Sequence, residues 1–273
     1  MDSGLSYITT GDGVRIAYRF DGRAEQPVLL LSNSIGTDLH MWDGQISAFS
    51  KHFRVLRYDA RGHGASGVPS AEYSLDRLGR DVLELLDALR IDEVNLLGLS
   101  LGGIVAQWIA IHAPHRIASL VLSNTAAYLG PADMWDRVII DLLRAPDMVE
   151  TAERFLKNWF PPRMLEEPAP IVNAFRQGLL ATRKEGIAGS WVAVRDADLR
   201  RTIALIDCPT LVIAGENDTV TSLQHGKEIA STIPRARLHV MPAVHLSNIE
   251  HPDRFADIVL AFLLGGTSRQ PEE

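Results

Sequence analysis

Apolar residues fall along this chain in two rhythms, and the alternation between them is its main structural signal. Short apolar runs occur at Pro27–Ser32, Val94–Leu99, Ile117–Ser123 and Thr210–Ala214, with a less pure one, interrupted by Arg57, at Val55–Tyr58. Unbroken apolarity over so few residues marks strands covered on both faces, as in a parallel sheet. Arg237–Met241 reads as a further strand, and Ser6–Thr10 with Val14–Phe20, flanking Gly11-Asp12-Gly13, predict an antiparallel hairpin at the sheet's outer edge. Between these runs the spacing becomes helical. Leu75, Leu78, Val82, Leu85, Leu86 and Leu89 share one face, as do Leu101, Ile104, Val105, Trp108 and Ile109. Helices are also expected over Gln45–His52, Leu223–Ile233 and Phe255–Leu264.

Beyond Asn124 the alternation breaks for about eighty residues. Four helical patterns, Met134–Leu143, Met148–Trp159, Ile171–Thr182 and Ile187–Val194, are separated by Pro161-Pro162, Pro168 and Pro170. A helical insertion inside an α/β chain reads as a cap. The expected division is therefore a core of residues 1–130 and 203–273 and a helical cap of residues 131–202. Residues Gly265 to Glu273 are polar and are expected to fray.

Candidate chemistry enters at Gly98-Leu99-Ser100-Leu101-Gly102. An apolar strand runs into a serine between glycines and continues as a helix, the arrangement that lifts a hydroxyl above the end of a parallel sheet. Ser100 is the expected nucleophile. A serine hydroxyl needs a base within reach and an acid to orient that base. Of nine histidines, His245 alone follows the last strand, and Asp218 follows the strand before it. Glu216 is a rival acid, and Asp196 and Asp198 lie in the cap. For the oxyanion, the Leu101 N–H is one expected donor, and the loop Ser32-Asn33-Ser34-Ile35-Gly36 supplies the other, Ser34 being favoured over Ile35. Asn33 is a candidate brace for that loop. Asp59, Arg61 and His63 follow another strand and read as loop-fastening rather than catalytic.

Composition narrows the picture by exclusion. The 273 residues are 46% hydrophobic with a net charge of -7, room for a large core. No block of like charge suggests a phosphate-backbone footprint, so nucleic acid is not an expected partner. No long apolar run spans a membrane and no leader pattern opens the chain, so a soluble cytoplasmic protein is expected. The single cysteine, Cys208, has no partner for an internal disulfide and reads as packing.

The order Ser100, Asp218, His245, each at the end of its own strand, resembles the α/β-hydrolase superfamily. The likeness goes further. Leu31-Ser32-Asn33-Ser34-Ile35-Gly36-Thr37-Asp38-Leu39-His40-Met41-Trp42, Gly98 to Gly103, Ser123-Asn124-Thr125-Ala126-Ala127 and Ala243 to Glu250 resemble segments of 3-oxoadipate enol-lactonases. Where the superfamily usually carries His-Gly in this loop, this chain departs from it, reading Ser32-Asn33-Ser34-Ile35-Gly36. The resemblance implies the α/β-hydrolase fold: a mostly parallel eight-stranded sheet, helices on both faces, and a helical cap after the sixth strand. It implies hydrolysis of an enol-lactone to 3-oxoadipate in protocatechuate and catechol breakdown, without metal or organic cofactor. An anionic lactone calls for a cation in the pocket. Arg195 is the candidate, with Trp135 packing over the ring or aiming its indole N–H at a substrate oxygen, and Arg137 and Trp159 in reserve. Competing readings are a carboxylesterase or carbon–carbon bond hydrolase of the same fold, or a non-catalytic ligand-binding relative.

Overall fold

The computed structural model describes residues 4–166 and 170–265. Pro168, the first three residues and the expected fraying over 266–273 lie outside the described residues. Eight strands form one sheet: β1 (Ser6–Thr9), β2 (Arg15–Asp21), β3 (Val28–Ser32), β4 (Arg54–Tyr58), β5 (Val94–Leu99), β6 (Ile117–Ser123), β7 (Thr210–Gly215) and β8 (Ala236–Met241). Their order is β1-β2-β4-β3-β5-β6-β7-β8. β1 pairs antiparallel with β2, and β2 with β4; every later pairing is parallel. All of β7 and nearly all of β3 and β5 are buried. That burial is why those strands read as continuous apolar runs. β8, at the far edge, leaves Leu238 and Val240 partly exposed.

Three helices precede the break in alternation: α1 (Asp43–Phe49), α2 (Leu75–Ala88) and α3 (Leu101–His112). α2 starts at Ser74, whose side chain accepts from the Arg77 N–H, and it buries Leu78, Val82, Leu85 and Leu86 on one face. α3 is buried from Leu101 to Ala110, so no polar face remains to reveal its orientation. Between β6 and β7 come α4 (Ala132–Arg144), α5 (Val149–Trp159), α6 (Pro162–Glu166), α7 (Pro170–Ala181) and α8 (Lys184–Asp196). The sequence pattern predicted four helices here. The short α6 arises where prolines were read as a separator, because proline is well tolerated in the first turn of a helix. Where this insertion leaves and rejoins the sheet, Tyr128 bridges Asp198, and the Leu199 N–H donates to the Ala127 carbonyl at 2.8 Å. α9 (Leu223–Thr232), α10 (Ser247–Glu250) and α11 (Pro252–Gly265) are the last described helices.

Buried charge fastens the loops beside β4. Asp59 accepts from the Leu39 and Ala65 N–H groups, both at 2.8 Å, and burial nevertheless pushes its carboxyl up to about 6. Arg61 grips both oxygens of Asp81, at 2.5 and 2.6 Å, with Asp12 alongside. His63 is buried with Nδ1 against the Arg61 carbonyl at 3.1 Å, and burial lowers its pKa. These contacts fit the loop-fastening reading of the segment.

Candidate active site

Ser100 sits between β5 and α3 with φ 56° and ψ -119°, a conformation that costs a side-chain-bearing residue roughly 1–3 kcal/mol. The surroundings hold it there. The Ser100 N–H donates to the Ser123 carbonyl at 3.0 Å, and the Ser100 carbonyl accepts from Thr125 Oγ1 at 2.7 Å. Only glycine fits on either side. A Cβ on Gly98 would lie 2.2 Å from the Gly102 carbonyl oxygen, and one on Gly102 would lie 2.1 Å from that of Ser32. This crowding is the physical content of the Gly-x-Ser-x-Gly spacing.

Loops from the ends of β7 and β8 converge on the hydroxyl. His245 Nε2 is 2.9 Å from Ser100 Oγ, and His245 Nδ1 is 2.9 Å from Asp218 Oδ2. With the Nδ1 proton donated to the carboxylate, Nε2 is left to accept the hydroxyl proton. Asp218 Oδ1 accepts from the N–H groups of Val220 and Thr221, at 2.8 and 3.0 Å, while Oδ2 also accepts from Thr221 Oγ1 and Asn124 Nδ2. Burial by itself would raise the Asp218 pKa. The His245 charge and hydrogen bond, with those from Asn124 and Thr221, outweigh it and bring the carboxyl down to about 2. The rival acids are elsewhere: Glu216 is exposed, Asp196 pairs with Arg195 and Asp198 with Arg200.

A cavity of about 200 Å³ lies over the hydroxyl, bounded below by Ser100, His245, Leu101 and Ile35 and above by side chains of the insertion. A larger cleft of about 960 Å³ opens between α7 and the loops after β3 and β4, lined by neither Ser100 nor His245. The site chemistry belongs to the smaller cavity. The Ser34 N–H, expected as an oxyanion donor, is directed at Met41 Sδ, 3.3 Å away. Ile35, not Ser34, lines the cavity. Gly102 and Gly103 donate their N–H groups to Asn33 and Ser100 carbonyls, whereas the Leu101 and Ile35 N–H groups have no acceptor among the described residues. Asn33 braces the loop: Nδ2 donates to the Tyr58 carbonyl and Oδ1 accepts from Trp42 Nε1, both at 2.8 Å.

Comparison with known proteins agrees with this architecture. A family model for the alpha/beta hydrolase fold matches residues 27–252. The chain belongs to the α/β-hydrolase fold family. It is 38% identical to 3-oxoadipate enol-lactonase 2 of Acinetobacter baylyi over 254 residues, 93% of this chain and 95% of that one. Among solved structures, a hydrolase from Pseudomonas aeruginosa PA01 superposes with a TM-score of 0.95 at 60% identity, covering 96% of this chain and 99% of that one. The enol-lactonase from Burkholderia xenovorans LB400 gives 0.92 at 38% identity, over 95% and 100% of the two chains. At this level the protein is a hydrolase of the α/β-hydrolase fold.

The insertion of this α/β hydrolase corrects one expectation and narrows another. Arg195 does not line the cavity; it lies outside, paired with Asp136 at 2.8 Å and Asp196 at 2.7 Å. Gly186 to Val194 of α8 are all buried, so the first charged positions after them emerge at the helix's outer end. Trp135 does line the cavity, but its Nε1–H donates to the Leu129 carbonyl at 2.6 Å, leaving the ring and not the N–H for a ligand. Of the reserves, Trp159 lines the cavity and Arg137 is exposed away from it. Sequence reading missed Arg154 and Asn158, which α5 presents to the cavity. Among the described residues no His, Cys, Asp and Glu cluster suits a metal ion, and no helix is long and apolar enough to cross a membrane.

Proposed function

We propose that the protein is a serine hydrolase that opens the enol-lactone of 3-oxoadipate to 3-oxoadipate during breakdown of protocatechuate and catechol. The observation that carries this reading is the 2.9 Å approach of His245 Nε2 to Ser100 Oγ at the floor of a small cavity lined above by the insertion. The similarity to 3-oxoadipate enol-lactonases supports the substrate.

In this mechanism Ser100 Oγ adds to the lactone carbonyl while His245 Nε2 takes its proton, and Asp218 holds the imidazole in the required tautomer. Charge builds on the carbonyl oxygen, which the Leu101 and Ile35 N–H groups receive. Collapse restores the carbonyl and breaks the ring carbon–oxygen bond, with the proton on His245 passing to the departing enol oxygen. That oxygen remains tethered through the acyl chain. Its relaxation to a ketone removes the nucleophile that would close the ring again. Water, deprotonated by His245, then attacks the acyl-enzyme and releases 3-oxoadipate and the Ser100 hydroxyl.

The test compares kcat/KM for the enol-lactone, generated in place from muconolactone by its isomerase, with that for a neutral p-nitrophenyl ester. The expected ratio favours the lactone by at least about a hundredfold, and Ser100→Ala abolishes turnover of both. Ester turnover without lactone turnover moves the substrate to neutral esters. Turnover of neither, with a lactone-dependent rise in thermal midpoint, replaces catalysis by ligand binding.

A further inference from the structure

α5 turns one face toward the cavity above Ser100, bringing Arg154, Phe155, Asn158 and Trp159 to its wall. Phe155 and Trp159 are packing residues and Asn158 is half-buried. Among the described residues, Arg154 is the only guanidinium or ammonium lining that cavity, and no carboxylate lines it. Its guanidinium carbon stands 5.7 Å from the centroid of the Trp191 ring, another wall residue. Three other arginines of the insertion pair with carboxylates: Arg195 with Asp136 and Asp196, Arg163 with Glu250, Arg176 with Glu153. Glu153, next to Arg154 in sequence, is thereby held toward α7. No carboxylate among the described residues pairs with Arg154.

A cation without a counter-charge, facing a cavity without a carboxylate, is the electrostatic complement of an anion. Arg154 is an exposed residue whose guanidinium lies within cation–π range of the Trp191 ring. Asn158, one turn along α5, adds an amide N–H on the same side, so two kinds of donor can meet two carboxylate oxygens.

We propose that Arg154, with Asn158, binds a carboxylate carried on the acyl part of the substrate, and so makes the hydrolase selective for anionic lactones and esters over neutral ones of equal length. The proposal deepens the reading of Ser100 as the reacting group and rests on it.

The experiment compares p-nitrophenyl hydrogen adipate with p-nitrophenyl hexanoate, the same chain with and without a terminal carboxylate. The readout is the ratio of their kcat/KM values in the unaltered enzyme and in Arg154→Met, Arg154→Lys and Asn158→Ala. In Arg154→Met the ratio falls roughly 10- to 100-fold through KM for the adipate ester, Arg154→Lys retains most of it, and Asn158→Ala loses less than Arg154→Met. In the unaltered enzyme the ratio falls as sodium chloride is raised, because an exposed ion pair is screened. An unchanged ratio in Arg154→Met, equal losses on both esters, or a salt-independent ratio in the unaltered enzyme overturns the proposal. Undiminished hydrolysis of both esters by Ser100→Ala overturns instead the reading on which it rests.

Discussion

Asn124 Nδ2 lies 3.0 Å from Asp218 Oδ2, the carboxylate oxygen that faces His245. The amide is saturated on its other side: Oδ1 accepts from Ser247 Oγ at 2.6 Å and Ser123 Oγ at 2.9 Å. A flipped amide would set its oxygen against the carboxylate, so the two serines also fix which atom Asp218 meets. Asn124 follows β6 and Ser247 opens α10, so this network ties together the loops that carry the proposed acid and base.

Asn124→Ala removes a hydrogen bond to a buried charge and orphans two hydroxyls. The expected cost is about 1.5–3 kcal/mol of stability by urea unfolding. Because the lost contact orients the acid without touching substrate, kcat falls roughly tenfold or more while KM moves little. Asn124→Asp places a second carboxylate against Asp218 and is expected to be worse than alanine on both counts. Unchanged kcat in both variants would show that Asp218 needs no such brace.

The strained backbone at Ser100 gives a second expectation. In both Ser100→Ala and Ser100→Gly the hydroxyl is lost and turnover with it, so their difference isolates the backbone. Glycine ordinarily destabilises relative to alanine through chain entropy. At φ 56° and ψ -119° the order should invert, with the glycine variant more stable by about 1 kcal/mol and melting roughly 2–4 °C higher. A glycine variant that melts below the alanine variant would mean that the turn carries no strain.

These relationships differ in how far the sequence discloses them. The strands were legible because β3, β5 and β7 are buried on both faces, and Ser100, Asp218 and His245 were legible because each follows a strand. The pocket cation was not. Arg195 ends a helix whose preceding nine residues are all buried, so its apolar periodicity contains no direction. On α5, by contrast, Thr151, Ala152, Phe155, Leu156 and Trp159 form a buried stripe, with Arg154 and Asn158 flanking it. That flank was a usable signal. The engagement of the Ser34 N–H by Met41 had none, since it depends on the path of the loop between them.

Acid should act on this site through Asp218. Its folded pKa, about 2, lies below the ordinary 3.8, so ionisation stabilises the fold above about pH 4 and that contribution is lost as pH falls toward 2. The stability difference between the unaltered protein and Asp218→Asn should therefore shrink by about 2 kcal/mol between pH 5 and pH 2, measured by urea unfolding at each pH. A difference that stays constant across that range would place the carboxyl at its ordinary pKa and remove the argument that His245, Asn124 and Thr221 hold it ionised.

The choice between Ile35 and Ser34 as oxyanion donor can be decided by disturbing each N–H separately. Gly36 adopts φ 78°, and a Cβ there would approach Leu179 Cδ2 at 3.0 Å and Trp159 Cη2 at 3.2 Å. Gly36→Ala therefore strains the backbone directly after Ile35 and shifts its peptide relative to Ser100. Loss of one oxyanion donor typically lowers kcat by about 10²–10³, and a displaced one should lower it at least tenfold with KM within about threefold. Met41→Leu instead removes the sulfur that the Ser34 N–H faces, at little cost in volume. If Ile35 donates, kcat in Met41→Leu stays within about threefold of the unaltered enzyme and Gly36→Ala carries the loss. The reverse order of effects would return the role to Ser34.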